Sequence, residues 1–426
     1  MFFLAERYDA IIVGAGPSGS SCAALLAAKG CKVLLIDKAH FPRDKPCGDA
    51  IGGKALNVLS ELGLQLQLKE KGFLRNSGVV FSSPSGDEVE IPLVLDPLSA
   101  EQKGAPFSRS EKVGGKEMSG GFVCRRQEFD FLLFKHAKEK CETLEETEVD
   151  DLIFEEGKVV GVKTRAKNGA VSSRHAKLVI GADGATSLVA RKTGCAQHGQ
   201  EHMCSALRGY YSGVKGLRGN VEIHFLPECM PGYFWVFPLS EHEANVGVGM
   251  LLSDIAARKI NLSRVLEACL KNAKFASRFA NAELQTPIAG WSLPLASAKR
   301  KCAGNGFVLL GDAASLIDPF SGEGIGNGMK SAKIAADVLG EKLGSGELSE
   351  EGCLSYQSAL WKEIGADVES SYNLQKLGKH AWLLNFIIGK AKRSEWVRNE
   401  LAGMIASREA KKKATNPLFY LRMLLS

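Results

Sequence analysis

The sequence predicts an α/β fold, α+β overall, and three features carry that prediction. Gly14-Ala15-Gly16-Pro17-Ser18-Gly19 follows an apolar run and opens an alanine-rich segment, the strand, glycine turn and helix of a Rossmann-type nucleotide-binding domain. Residues 233–249 read YFWVFPLSEHEANVGVG, and the rings at Tyr233, Trp235 and Phe237 alternate as they do on one face of an antiparallel strand. From residue 346 onward the chain reads mainly as helices, with no close internal repeat.

Tyr8 to Val13 is a short buried strand, Pro17 to Lys29 a helix, and Lys32 to Asp37 a second strand parallel to the first. Leu56 to Lys71 reads as one helix, and Gly78 to Leu93 as a hairpin turning at Pro-Ser-Gly-Asp, 84–87. Asp96 to Gly121 is polar and aperiodic, the pattern of a lid, an insertion or disorder. Arg125 to Cys141 returns to helical spacing, and Thr147 to Gly184 reads as short strands ending in KLVIGADG. Strands fill 205–250, a helix runs from Leu262 to Phe279, Gly306 to Gly311 is a buried strand, and Gly326 to Leu343 is helical. The nucleotide-binding domain is thus split among 1–75, 122–195 and 286–345. Residues 76–121 and 196–285 form the antiparallel-sheet substrate domain, and 346–426 the helical C-terminal region.

Composition narrows the function classes. At 426 residues the chain is long enough for two or three units. No run approaches the roughly 18 apolar residues of a membrane span. The opening MFFLAERYDAII lacks a basic n-region and a long apolar core, so a cytoplasmic location is expected. Eleven scattered cysteines without a C-x-x-C pair fit a reduced compartment and no structural metal. The net charge of +6 gathers late, in KAKR (390–393) and REAKKK (408–413). No aromatic-interleaved basic patch points to nucleic acid. The basic C-terminal region, ending NPLFYLRMLLS, is either a solvated helix face or a peripheral contact with the cytoplasmic face of a membrane.

The glycine turn has a mechanical reading. Gly14 permits the tight turn, Gly16 lets a pyrophosphate approach the backbone, and Gly19 allows close helix packing, with the positive helix end toward the phosphates. Asp37, closing the second strand, is placed to accept hydrogen bonds from a ribose. Three later segments add to it: Arg126 and Asp130 in R-x-x-x-D; Asp183 in D-G-x-x-S-x-x-x-R; and Asp312 in G-D-A-A, followed by Asp318-Pro319, Gly322, Gly324 and Gly326. Together these resemble flavoproteins of the p-hydroxybenzoate hydroxylase type and imply FAD. In that resemblance Asp312 meets the ribityl and pyrophosphate part, and Gly324-Ile325 lies near the flavin ring. Read from the residues alone, Arg126 is either a surface partner of Asp130 or a cofactor contact, and Asp183 a turn residue or a cofactor contact.

Pro46-Cys47-Gly48-Asp49 and the pattern Y-x-W-x-F-P-x8-G-x-G narrow the likeness further. Together they resemble the geranylgeranyl reductase family, flavoproteins that saturate isolated double bonds in polyprenyl chains on lipids, quinones or chlorophyll precursors. The likeness spans roughly residues 6–345. It places Cys47, Gly48 and Ala50 with Gly19, Asp37, Arg126, Asp312, Gly324 and Ile325 around FAD. It sets Tyr233, Trp235, Phe237, Gly247 and Gly249 along the prenyl cavity. Ala50 departs from the glycine many relatives carry there.

The implied chemistry is hydride delivery from reduced flavin N5 with a proton from an acid. An isolated alkene offers no carbonyl to stabilise charge, so positioning must supply much of the rate. Cys47 is either that acid or redox partner, or a small residue packed under the cofactor. NAD(P)H and ferredoxin are both compatible electron donors. An oxygen-activating aromatic hydroxylase would share every FAD motif, and a non-catalytic prenyl-binding escort is the reading from another class.

Overall fold

The computed structural model describes residues 7–76, 78–92, 112–113, 116–117, 121–196, 199–346, 348–406, 419 and 422–423. Most of the polar stretch 96–121, REAKKK and most of the NPLFYLRMLLS tail therefore lie outside the described residues.

The first layer is an eight-stranded mixed sheet. Its parallel part runs Glu142–Leu144, Val33–Ile36, Arg7–Val13, Val171–Gly181, Phe307–Leu309. Of these, Arg7–Val13, Val33–Ile36 and Phe307–Leu309 are short and mostly buried, hence their runs of Val, Ile and Leu. The helices Pro17–Ala28, Arg126–Lys138 and Ile325–Ser345 share its core. Thr147–Glu155, Lys158–Ala166 and Val171–Gly181 form an antiparallel meander on the same sheet. They are longer than the short strands expected from sequence, because charged residues on the solvated face mask the alternation.

The second sheet also has eight strands, in the order Glu283–Leu284, Met203–Ser212, Ala244–Leu251, Tyr233–Pro238, Val221–His224, Gly78–Ser82, Glu88–Pro92, with Ala289–Pro294 also pairing with Met203–Ser212. That last strand falls in a segment assigned from sequence to the nucleotide-binding domain, so the boundary moves from 286 past Pro294. One face, carrying Phe234, Val236, Val246 and Val248, packs under the helix Leu262–Lys271. The opposite face looks toward the first layer.

Two expected helices are each broken in two. Gly53–Glu61 and Gln65–Glu70 are separated at Gly63, whose φ is +73°. Leu262–Lys271 stops at Asn272, whose φ and ψ of −55° and 140° leave the helical region, before a short turn of helix at Ala276–Phe279. The C-terminal helices are Glu350–Leu377, Ala381–Arg393 and Glu395–Ala406. No described helix is long and apolar enough to cross a membrane.

Candidate functional site

Between the two sheets lies a cavity of about 1000 Å³ running from the glycine turn to the C-terminal helices. Gly14, Gly16, Asp37, Arg126, Asp183 and Asp312 line its first part. Cys47, Gly48, Ala50, Gly322, Gly324 and Ile325 line the middle beside Tyr233, Trp235, Phe237 and Gly249. Leucines and isoleucines, among them Leu374, Leu383 and Ile387, close the far end.

Two helix N-termini face this space. Pro17–Ala28 has Gly16 as its N-cap and Ile325–Ser345 has Gly324, and neither receives a side-chain cap. Amide groups left without a side-chain acceptor, at the positive end of a helix, attract anions and electron-rich edges. Arg43 stands 3.6 Å from where a Cβ of Gly16 would be and donates to Asp130 at 3.1 Å. Asp37 holds the glycine turn, accepting from the Ala15 and Ala39 amides at 2.7 and 2.8 Å, and each carboxylate oxygen retains a lone pair for a sugar hydroxyl. These donors, acceptors and dimensions fit an FAD.

The structure gives several of the residues picked out in the sequence a definite place. Asp183 lines the cavity, but its carboxylate accepts from Ser187 Oγ at 2.5 Å and from the Leu188 amide at 2.6 Å, so it organises the turn into Leu188–Lys192. Arg126 is not a surface ion pair. It is 8% exposed and donates through Nε and Nη2 to Asp130 at 2.7 and 2.8 Å, a fork that fixes the guanidinium plane. Gly19 sits behind the glycine turn, outside the cavity lining.

Gly247 does not bring a ligand close to the backbone either. It pairs across the ladder with Trp235, and a Cβ there would stand 2.3 Å from the indole and 2.2 Å from the Leu207 carbonyl oxygen. Its missing side chain makes room for the tryptophan. Gly249, opposite Tyr233, does face the cavity.

The ring wall touches both loops of the cofactor half. A Cβ on Gly48 would meet the Phe237 ring at 2.9 Å, and one on Gly322 would meet the Tyr233 hydroxyl at 2.8 Å. Behind the rings runs a buried polar chain. Trp235 Nε1 donates to Asn245 Oδ1 at 2.9 Å, while Asn245 Nδ2 donates to the Cys47 carbonyl at 2.7 Å and to Asp49 Oδ2 at 2.8 Å. The Tyr210 hydroxyl donates to the same Asp49 oxygen at 2.7 Å. Asp49 adopts φ +69°, is fully buried, and has no partner on Oδ1.

Asp49 closes the Pro46-Cys47-Gly48-Asp49 motif without a role assigned to it from sequence, and nothing in the sequence marks Asn245. The strand register, which sets Asn245 beside Phe237 and Tyr210, was the missing signal.

Electrostatics follow from this burial. Burial pushes the Cys47 thiol up, against the pull of the Arg126 guanidinium, so it stays protonated at neutral pH. Burial also raises Asp312, which Lys45 and Arg126 pull back. Asp49 rises from 3.8 to about 6, burial outweighing the hydrogen bonds from Asn245 and Tyr210.

The folded chain therefore keeps a proton on Asp49 that the unfolded chain releases, and stability declines as pH rises between those values. Compared with Asp49→Asn, which is neutral throughout, the wild-type protein is expected to lose on the order of 2 to 3 kcal/mol from about pH 4 to pH 6. Urea denaturation of both proteins across that window measures the difference; a flat difference would remove the buried-carboxyl assignment.

Comparison with known proteins agrees with this geometry. Residues 7–362 match the family model described as FAD binding domain. A digeranylgeranylglycerophospholipid reductase of Methanocella arvoryzae is 29% identical over 377 residues, 87% of this chain and 87% of that protein. A menaquinone reductase of Mycobacterium tuberculosis is 32% identical over 346 residues, 78% of this chain and 77% of that protein. Among solved structures, a geranylgeranyl bacteriochlorophyll reductase-like protein from Thermoplasma acidophilum shares the fold with a TM-score of 0.80 at 24% identity, covering 96% of this chain and 99% of that one. With cofactor motifs, cavity and relatives in agreement, the chain belongs to the FAD-binding-domain flavoproteins and, within them, to the geranylgeranyl reductase family of FAD-dependent oxidoreductases.

Proposed function

We propose that this protein saturates carbon-carbon double bonds of a polyprenyl chain carried on a lipid or quinone. The observation that carries this reading is the position of the ring wall. Tyr233, Trp235 and Phe237 lie between the Gly48 and Gly322 loops of the cofactor half and open onto an apolar chamber.

Glycine-turn amides and Arg43 would hold the pyrophosphate of FAD, Asp37 and Asp312 its sugar and ribityl hydroxyls, and the helix start at Gly324-Ile325 the ring edge. Bound FAD supplies hydride once an external donor, NAD(P)H or ferredoxin, has reduced it. Anaerobic bleaching by each donor distinguishes the two. The chain's own residues bind and orient the alkene. The rings grip the chain and present their negative faces to any positive charge building on carbon. Apolar walls favour the prenyl chain over water by about 0.8 kcal/mol per buried CH₂.

The test is mass spectrometry of polyprenyl lipids and quinones from cells with and without the protein. The reading expects species differing by one H₂ per reduced bond. Identical profiles under expression of the flavin-loaded protein would count against it.

A further inference from the structure

Lys45 is a buried cation with no acceptor. Its Nζ is shielded from solvent and has no hydrogen-bond partner; it rests 3.0 Å from the centre of the Trp291 ring. The Trp291 indole N-H beside it is likewise buried without an acceptor. The adjacent carboxylate is turned elsewhere: both oxygens of Asp44 accept from Arg208 Nη2, at 2.9 and 2.8 Å, and neither is hydrogen-bonded to Lys45. That same nitrogen also reaches the Lys45 carbonyl at 3.4 Å, pinning the backbone.

An ammonium held out of water with no hydrogen-bond acceptor is costly, and a ligand that brings an anionic or acceptor atom to Lys45 Nζ would relieve that cost. Both Lys45 and Trp291 line the cavity, and a four-carbon stem lets the ammonium leave the ring face for a stronger acceptor.

The neighbours indicate which ligand. The charged groups acting on Lys45 are Asp312, Arg126 and Arg43, all toward the FAD end of the cavity. None comes from the apolar chamber of the C-terminal helices. With the FAD reading as its premise, we propose that Lys45 is the counter-charge for the reduced flavin ring, favouring the reduced over the oxidised cofactor. Two electrons and one proton from an external reductant leave the ring with one added negative charge. The ammonium pairs with that charge, and no covalent bond to the protein forms or breaks. Burial pushes Lys45 down to about 7, with Asp312 working against the shift and Arg126 and Arg43 adding to it. The contribution therefore fades as pH rises through that value.

The experiment is a potentiometric titration of the flavin-loaded protein, its K45M variant and its K45R variant, with dithionite and an indicator dye. In K45M the reduced cofactor is expected to bind at least about tenfold more weakly relative to the oxidised one. For a two-electron couple that is a potential about 30 mV more negative. K45R should remain near wild type. The wild-type potential should also change slope with pH near 7, and K45M should lack that change.

A yellow K45M with wild-type potential overturns the proposal alone. So does an equal loss of affinity for both redox forms, which would make Lys45 a general FAD contact, or an unchanged potential with a raised KM for prenyl lipid, which would assign it to the substrate head group. A wild-type chain that takes up no FAD overturns the parent reading and this one together.

Discussion

Trp235→Ala is expected to leave FAD bound and to lower kcat/KM for a prenyl substrate by about a hundredfold, close to 3 kcal/mol of transition-state stabilisation. The indole is 6% exposed, lines the cavity, and stands between the Tyr233 and Phe237 rings at centroid distances of 6.1 and 6.2 Å. Truncation removes the middle of the wall and leaves a void that water or a misplaced chain can enter. The glycine turn and Asp312 stay as they were, so the visible flavin spectrum should persist.

Trp235→Phe separates two contributions. It keeps an aromatic face but drops the hydrogen bond to Asn245, which also holds the Cys47 carbonyl. A loss of about tenfold is expected, in line with roughly 1 kcal/mol for one buried hydrogen bond. Steady-state kinetics with flavin content measured on the same samples decide the matter. Unchanged turnover in Trp235→Ala would return the aromatic strand to an ordinary sheet core.

Gly19→Ala should have the larger effect on the cofactor. A methyl group there would lie 1.8 Å from the Gly14 carbonyl oxygen and 3.2 Å from the Ala182 side chain. Backbone atoms cannot yield as a flexible side chain does, so the turn must open and the helix must withdraw from the strand. Gly14 has little room to follow, with φ +97° and the Ala182 carbonyl oxygen 2.5 Å from its own absent Cβ. The variant is expected to purify colourless, with FAD affinity reduced by more than about a hundredfold or with folding lost outright, at a cost above about 4 kcal/mol. Gly53→Ala is the control: a Cβ there meets nothing within 4 Å, and FAD content should match wild type. A yellow, stable Gly19→Ala protein would show that the turn is not the phosphate site.

What could be read from the sequence was local. The strand, turn and helix around Gly14 to Gly19 depend on neighbours in the chain, and so does the alternation of Tyr233, Trp235 and Phe237. The purpose of Gly247 depends on which residue the next strand sets opposite it, and only pairing with Trp235 shows it. Arg126 and Asp130 stand at helical spacing, yet their burial is set by Arg43 and the sheets around them. Nothing local in the sequence marks Lys45, because the pairing of its neighbour Asp44 with Arg208 is a contact across 164 positions. The leucines of the C-terminal helices carried no separate signal: an apolar helix face reads the same whether it packs on a core or lines a chamber.

The most direct test of the account is anaerobic turnover of the purified, flavin-loaded protein with a polyprenyl lipid or quinone and reduced flavin as the only electron source, read by mass spectrometry. The account predicts reoxidation of the flavin in step with one added H₂ per double bond and no need for oxygen. A protein that adds no H₂ under these conditions, but consumes oxygen to hydroxylate an aromatic substrate, would contradict it.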